Sequence, residues 1–222
     1  MSSLKLLSTR LLLPEEQLAL ENLGYTVDQL ASIEVELIDF EMPKVVENVI
    51  FTSQNAIQSF LKHPLSSKIR SKGVKAFCVG KKTAQLATDS GFEVPYWANN
   101  SGELAQMITE NDATLSFVYF SGSISMRALV DGFDKDEITY QEIVAYTTTE
   151  TCPKLEKQYD MMLFFSPSGV RSISANNDIS KTVKVCIGPT TAREFNTQNN
   201  LLIAEYPPSF NHMIQAIKQF KQ

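Results

Sequence analysis

The sequence predicts an α/β fold of two similar domains with doubly wound parallel sheets, and three observations support this prediction. Short apolar runs recur along the chain, and each ends in Ser, Thr or Gly before a helix-like pattern begins. Two of these strand–helix junctions recur later, from Phe51 to Phe164 and from Gly80 to Gly188, at offsets of 113 and 108 residues. Two further segments alternate apolar and polar residues, as expected of strands that join the domains.

The apolar runs are continuous rather than alternating, which is typical of strands buried on both faces of a parallel sheet. Strands that alternate with helices favour right-handed βαβ units. Gly24 and Gly91 each precede another strand-like run, so we predict that helices end there. In chain order the junctions are Leu4–Arg10, which is the weakest, then Val49–Phe60, Ala76–Ala87, Val118–Leu129, Met162–Ile173 and Val185–Phe195.

The alternating segments Ile33–Phe40 and Ile138–Thr149 predict the crossings between the domains. The chain has no Gly/Ser-rich or Pro-rich linker that would support a simple head-to-tail division. We therefore predict that these strands pair as a two-stranded β-ladder and that the N-terminal segment completes the C-terminal domain. The predicted bounds are 1–35 with 148–222 for one domain, 40–142 for the other, and 36–39 and 143–147 for the linker strands, with a ligand cleft between the domains.

Composition excludes several classes of protein. The 222 residues are 43% hydrophobic and 20% charged, which is ordinary for a globular protein. A net charge of -5 argues against a nucleic-acid partner, and no apolar run approaches the ~18 residues of a membrane span. Three cysteines without a CxxC pair, and an N-terminal apolar run broken by Lys5 and Arg10, favour a reduced cytoplasmic setting. We expect a monomer with a small-molecule partner.

The strand–helix junctions also predict where a ligand binds. In open α/β sheets, ligands bind beyond the carboxyl ends of the strands, where helix N-termini present amides to anions. Gly80, Gly122, Gly169 and Gly188, four of only nine glycines, lie at these junctions. The alternative for any one junction is that its Ser, Thr or Asn simply caps a helix. Taken together, they predict a site lined by amides and hydroxyls for a ligand with several carboxylates or phosphates.

Other kinds of site have little support. The chain has neither of the usual glycine-rich phosphate motifs, and its two histidines, His63 and His212, have no metal-ligand spacing and lie outside the junctions. Cys78 and Cys186 occupy equivalent strand positions and are interpreted as buried apolar residues. Tyr146 lies in an alternating strand, where a phenol either donates a proton to a leaving oxygen or packs with its hydroxyl in solvent. From the residues alone, packing is the favoured interpretation.

Six segments resemble the uroporphyrinogen-III synthase family, in an order and spacing that cover nearly the whole chain. The last two of them are the most specific. The chain departs from the family pattern where Leu11, rather than proline, follows Arg10, and where Ser121-Gly122 replaces an Arg-Gly pair. The matching segments are Leu6–Arg10, Val49–Ile57, Phe77–Ala84, Glu142–Thr149, Phe164–Val170 and Val185–Ala192.

The resemblance implies two flavodoxin-like domains and a cofactor-free, cyclising dehydration of hydroxymethylbilane to uroporphyrinogen III, with inversion of ring D. It implies that Tyr146 is the proton donor to the leaving hydroxyl. Two alternatives stay open: a non-catalytic binding protein for a polyanionic small molecule, and a transferase for a nucleotide-linked substrate. The junctions and the resemblance together nominate as substrate-binding residues Arg10, Thr52, Ser53, Asn55, Gly80, Thr83, Ser121, Gly122, Ser166, Ser168, Gly169, Gly188, Thr190 and Thr191.

Overall fold

The computed structural model describes residues 4–125 and 127–220. These residues form strands β1 (Leu4–Ser8), β2 (Tyr25–Gln29), β3 (Ile33–Leu37), β4 (Asn48–Phe51), β5 (Lys75–Val79), β6 (Trp97–Ala98), β7 (Ser116–Gly122), β8 (Thr139–Glu150), β9 (Met161–Phe164), β10 (Val183–Cys186) and β11 (Leu201–Ile203). The helices are α1 (Pro14–Glu21), α2 (Gln54–Lys62), α3 (Ser66–Arg70), α4 (Lys81–Asp89), α5 (Ser101–Asp112), α6 (Ala128–Lys135), α7 (Pro167–Ser174), α8 (Pro189–Ala192) and α9 (Phe210–Phe220).

The chain divides into two compact units. The first unit consists of Met1–Glu34 with Thr149–Gln222, and the second of Val35–Thr148. The first sheet has the strand order β11-β10-β9-β1-β2, and its neighbouring strands pair in parallel. Numbered along the chain, this is the order 2-1-3-4-5 of flavodoxin-like sheets, as the resemblance implied.

The second sheet has the order β3-β8-β7-β4-β5-β6, and the strands from β8 to β6 are parallel. If β4 to β8 are numbered 1 to 5, the sheet read from β6 to β8 has the order 3-2-1-4-5. Strands β5 and β6 lie on one side of β4, and β7 and β8 lie on the other. Both units are therefore α/β with parallel-dominated sheets, and in each sheet the strand order reverses beside the first strand of the unit.

Strands β3 and β8 are neighbours in the sheet. The chain passes from one unit to the other at Glu34–Val35, within β3, and at Thr148–Thr149, within β8. The Ile38 N–H donates to the Ala145 carbonyl, and the Thr151 N–H donates to the Ser32 carbonyl, so the two segments run antiparallel. Strand β8 is longer than the predicted linker strand, because its first half pairs with β7. The predicted alternation is present at its centre, where Ile143 is buried and the adjacent Glu142 and Val144 are exposed.

The central strands of each sheet are buried on both faces, which explains their continuous apolar runs in the sequence. In β1, Leu6 and Leu7 belong to core clusters on opposite faces of the first sheet. In β4, Phe51 and Ile50 divide in the same way in the second sheet. The predicted helix ends are also present, since Gly24 and Gly91 have φ of 85° and 89°, values that favour glycine. Within the described residues, no helix is both long and apolar enough to cross a membrane.

Candidate functional site

The carboxyl edge of the first sheet brings three hydroxyl groups together around Gly169. The centre of this edge is the switch point between β1 and β9. Strand β1 is followed by α1, and β9 is followed by α7. The Thr9 hydroxyl donates to the Leu163 carbonyl, and the Ser32 hydroxyl donates to the Thr9 carbonyl, each at 2.8 Å. A Cβ added at Gly169 would lie 3.1 Å from Ser32 Oγ, 3.4 Å from Ser166 Oγ and 3.5 Å from Thr9 Oγ1.

The N-terminus of α7 lies at this edge. Ser166 is its N-cap, and the Gly169 N–H donates to Ser166 Oγ at 3.1 Å, so the alternative interpretation of this junction, a helix cap, applies to Ser166, whereas substrate binding stays a prediction. Pro167 occupies the first turn, and Ser168 in the same turn is half-buried. The remaining amides of the turn and the positive end of the helix dipole suit a carboxylate.

Arg10 follows β1 and already has partners within its own unit. Its guanidinium makes a bidentate ion pair with Glu16, with N–O distances of 2.7 and 2.8 Å, and donates to the Leu11 carbonyl. It also stacks on Phe165, with its Cζ 4.0 Å from the ring centroid. Arg10 therefore braces the loop after β1, and it would bind a substrate carboxylate only beside or in place of Glu16.

The junction after β10 is less open than the sequence suggests. Gly188 has an extended backbone with φ of -179°, so its conformation does not require glycine. The short helix α8 exposes Thr190, whereas Thr191 is only 3% exposed. Thr83, in the equivalent helix α4 of the second unit, is also buried, at 6% exposure. Gly80 before it has φ of 86°, a conformation that strongly favours glycine.

The carboxyl edge of the second sheet has a different chemistry. Its switch point lies between β4 and β7. Ser53 caps α2 by accepting the Asn55 N–H at 3.2 Å. The Thr52 hydroxyl is hydrogen-bonded to the Tyr119 hydroxyl at 3.3 Å. Ser121 is fully buried, and its Oγ has no hydrogen-bond partner among the described residues.

A β-bulge places Tyr146 against Gly122. Ser121 pairs with Val144, but the next residue, Gly122, pairs with Tyr146, so Ala145 is the extra residue in β8. Ala145 and Tyr146 consequently contact the same core cluster, although successive residues of a regular strand point to opposite faces. A Cβ at Gly122 would lie 2.6 Å from Cε2 and 2.7 Å from Oη of Tyr146, so the ring occupies the space that only glycine leaves free.

The structure also shows site residues that sequence reasoning missed. Ser32 reaches the first edge from the segment after β2, a contact that no local motif indicates. Tyr119 lies in a run that the sequence marks only as an apolar strand, yet its hydroxyl reaches Thr52. Cys78 and Cys186 are buried as predicted, and burial raises the pKa of each thiol to about 12, so neither is an activated nucleophile. The part of the chain that the structure describes contains no group of three or more His, Cys, Asp or Glu residues that could hold a metal ion.

These features define a two-unit, doubly wound α/β protein with a polar switch-point edge on each sheet. The chain belongs to the uroporphyrinogen-III synthase family, because the family model described as uroporphyrinogen-III synthase HemD matches residues 15–215. No curated protein sequence is significantly similar to the chain.

Two solved structures share the fold. The uroporphyrinogen-III synthetase from Helicobacter pylori is 17% identical, with a TM-score of 0.75, over 98% of this chain and 99% of that one. A mutant uroporphyrinogen III synthase from Thermus thermophilus is 14% identical, with a TM-score of 0.68, over 99% of this chain and 100% of that one. At these sequence identities the structural similarity establishes the fold and nothing further.

Proposed function

We propose that the protein converts linear hydroxymethylbilane into uroporphyrinogen III, with loss of water and inversion of ring D. The observation that carries this proposal is the family match over residues 15–215. The chemistry begins when the C–O bond of the hydroxymethyl group breaks and the pyrrole nitrogen supplies electrons, which leaves an azafulvenium cation. The substituted carbon of ring D attacks this cation to give a spiro-pyrrolenine, which fragments and recloses with ring D reversed.

The main task of the protein in this reaction is to fold the bilane so that the hindered carbon of ring D is attacked. This is catalysis by positioning, and it does not require a concentrated acid–base cluster. The substrate carries eight carboxylates, whereas the protein has a net charge of -5. We therefore assign carboxylate binding mainly to amides and hydroxyls of the junctions in both units, rather than to an arginine-rich pocket.

Within this proposal, Tyr146 donates a proton to the leaving hydroxyl, so that water rather than hydroxide departs. Its support is geometric: the bulge in β8 and the missing side chain at Gly122 hold the phenol at the carboxyl edge of the second sheet. Thr52, Ser53 and Ser121 lie at the ends of neighbouring strands at the same edge. The other nominated residues are assigned to substrate binding at their own junctions, including Thr83 and Thr191, which are buried in this structure.

We further propose that the protein acts in the cytoplasm as a monomer. Its three cysteines are free, as expected in a reducing compartment. Light scattering coupled to size exclusion, at the concentration used for the activity assay, tests the monomer: a stable dimer would contradict it.

One assay tests the proposed reaction. Freshly prepared hydroxymethylbilane is mixed with the protein, and the uroporphyrin isomers are separated after oxidation; the same bilane without protein is the control. Because the bilane closes unaided to isomer I, we expect isomer III only when the protein is present. Binding of the bilane without enrichment of isomer III would instead support the non-catalytic binding protein.

A further inference from the structure

Tyr119 is a buried polar residue that the junction motifs do not include. It lies in β7 and is 1% exposed, and its ring packs with Ile50 and Phe77 in one core cluster of the second unit. Its register partner in β4 is Ile50, so Thr52 lies two residues further along the neighbouring strand, on the same face of the sheet. The phenol spans this distance, and its hydroxyl is hydrogen-bonded to Thr52 Oγ1 at 3.3 Å.

A phenol at this position has to keep its hydroxyl bonded. A phenylalanine would pack equally well in the apolar cluster, and a buried hydroxyl without a partner costs free energy. The Tyr119 hydroxyl has such a partner in the side chain of Thr52, which lies in the loop at the carboxyl edge. Burial raises the pKa of Tyr119, so the phenol stays neutral and keeps its proton for hydrogen bonding.

A second observation comes from Ser121, two residues after Tyr119 in β7. Strand alternation places Ser121 on the same face of the sheet as Tyr119. Its Oγ is fully buried and makes no hydrogen bond to any residue that the structure describes. Native proteins rarely leave such groups unpaired, and each exception calls for an explanation such as a functional role. This edge therefore has hydrogen-bonding capacity beyond its internal contacts.

We propose that Tyr119 is a positioning residue, whose hydroxyl holds the Thr52 side chain in the orientation that binds a carboxylate of the bilane at the edge of the second sheet. The role rests on the proposed function. Tyr119 does not touch the reacting atoms; it fixes a hydroxyl that does touch substrate. Loss of this contact loosens the fold of the bound bilane, so part of the substrate escapes and closes unaided to isomer I.

The test compares Tyr119→Phe with Tyr140→Phe. Tyr140 is a matched control because its hydroxyl also bonds a side chain, Asp134, but it lies near the start of β8, away from the carboxyl edge. We expect Tyr119→Phe to raise KM for the bilane about threefold to tenfold, as for one lost hydrogen bond, and to lower the isomer III fraction. Tyr140→Phe should leave both unchanged. Circular dichroism and thermal melts establish that each variant is folded.

A double-mutant cycle with Thr52→Val separates positioning from a general structural effect. If Tyr119 acts through Thr52, Tyr119→Phe has little further effect on KM or isomer ratio once Thr52 is replaced. Additive effects, or wild-type KM and isomer ratio in Tyr119→Phe, overturn the proposal. If the wild-type protein forms no isomer III, the proposed function fails first and this role fails with it.

Discussion

The two switch-point edges use their hydroxyl groups in different ways. At the first edge, Thr9 and Ser32 donate to backbone carbonyls and Ser166 accepts a backbone amide. At the second edge Ser53 also accepts a backbone amide, but Thr52 bonds another side chain and Ser121 Oγ has no partner among the described residues. Hydroxyls held by the main chain form a preorganised surface, whereas Thr52 is oriented, in our proposal, by the Tyr119 side chain and Ser121 keeps hydrogen-bonding capacity for a ligand. We infer from this difference that the first edge binds substrate and the second also takes part in the chemistry.

The largest effect is expected from Gly122→Ala, because the new methyl group would collide with the ring of Tyr146. We expect the rate of bilane consumption to fall about 10- to 100-fold, since both Tyr146, the proposed proton donor, and the bulge are displaced. The free energy of unfolding should fall by about 1–3 kcal/mol, as for other overpacked sites. Steady-state kinetics and denaturant unfolding measure the two effects.

A second-site replacement provides the control for this clash. In a Tyr146→Ala background the ring is absent, so Gly122→Ala should lose most of its cost in stability. An unchanged cost in that background would mean that Gly122 is required for another reason, such as close approach of substrate to the backbone.

The next effect concerns Tyr146→Phe, which keeps the ring over Gly122 and removes only the hydroxyl. General acid catalysis typically contributes ~10²–10⁴-fold. We expect a smaller loss of about tenfold in the rate of bilane consumption, because the pyrrole nitrogen already drives departure of the hydroxyl. Folding, substrate binding and isomer III as the product should persist. A wild-type rate would show that Tyr146 only packs.

A smaller effect is expected at the first edge from Gly169→Ala. The added Cβ would lie 3.1 Å from Ser32 Oγ, a tight contact that a small shift of the serine relieves. We expect KM for the bilane to rise about threefold to tenfold, as for a weakened hydrogen bond to substrate. The maximal rate should be almost unchanged. A variant that lowers only the maximal rate would remove the distinction between the two edges.

The smallest effect concerns stability against pH in the first unit. The Lys157 ammonium, 2.5 Å from Asp28, and the Tyr159 hydroxyl hold the pKa of this carboxyl below its usual value. A lowered pKa stabilises the fold above the unfolded-state pKa of about 3.9, and this stability is lost as the pH falls through the folded-state pKa. We expect Asp28→Asn to cost less than about 1 kcal/mol at pH 7, because the pair is partly exposed. The difference in melting temperature between Asp28→Asn and wild type should be largest near neutral pH. It should shrink as the pH falls below the pKa of the carboxyl in the unfolded state.

The sequence was informative wherever local chemistry decides the structure. Continuous apolar runs predicted strands buried on both faces, because a parallel sheet covered by helices leaves no solvated face. Ser53 and Ser166 fit the pattern of helix caps, since capping depends on residues two or three positions apart. The conformations of Gly24 and Gly91 followed from the strand-like run after each of them.

Features that depend on distant pairing could not be predicted from the sequence. The bulge at Ala145 exists only in the register between β7 and β8, so no motif indicated that Gly122 makes room for Tyr146. The same limit applies to Tyr119. It lies among apolar residues of β7, so the sequence did not indicate its polar contact with Thr52. The burial of Thr191 depends on which face of a short helix packs against the core.

Both edges bind substrate in this proposal, but only the second edge contributes a group to the chemistry. The decisive measurement is the rate of Tyr146→Phe and of Gly169→Ala under saturating hydroxymethylbilane, after subtraction of the unaided closure. Saturation removes differences in binding, so we expect a wild-type rate for Gly169→Ala and a rate about tenfold lower for Tyr146→Phe. A wild-type rate for Tyr146→Phe together with a marked loss for Gly169→Ala would contradict the proposal.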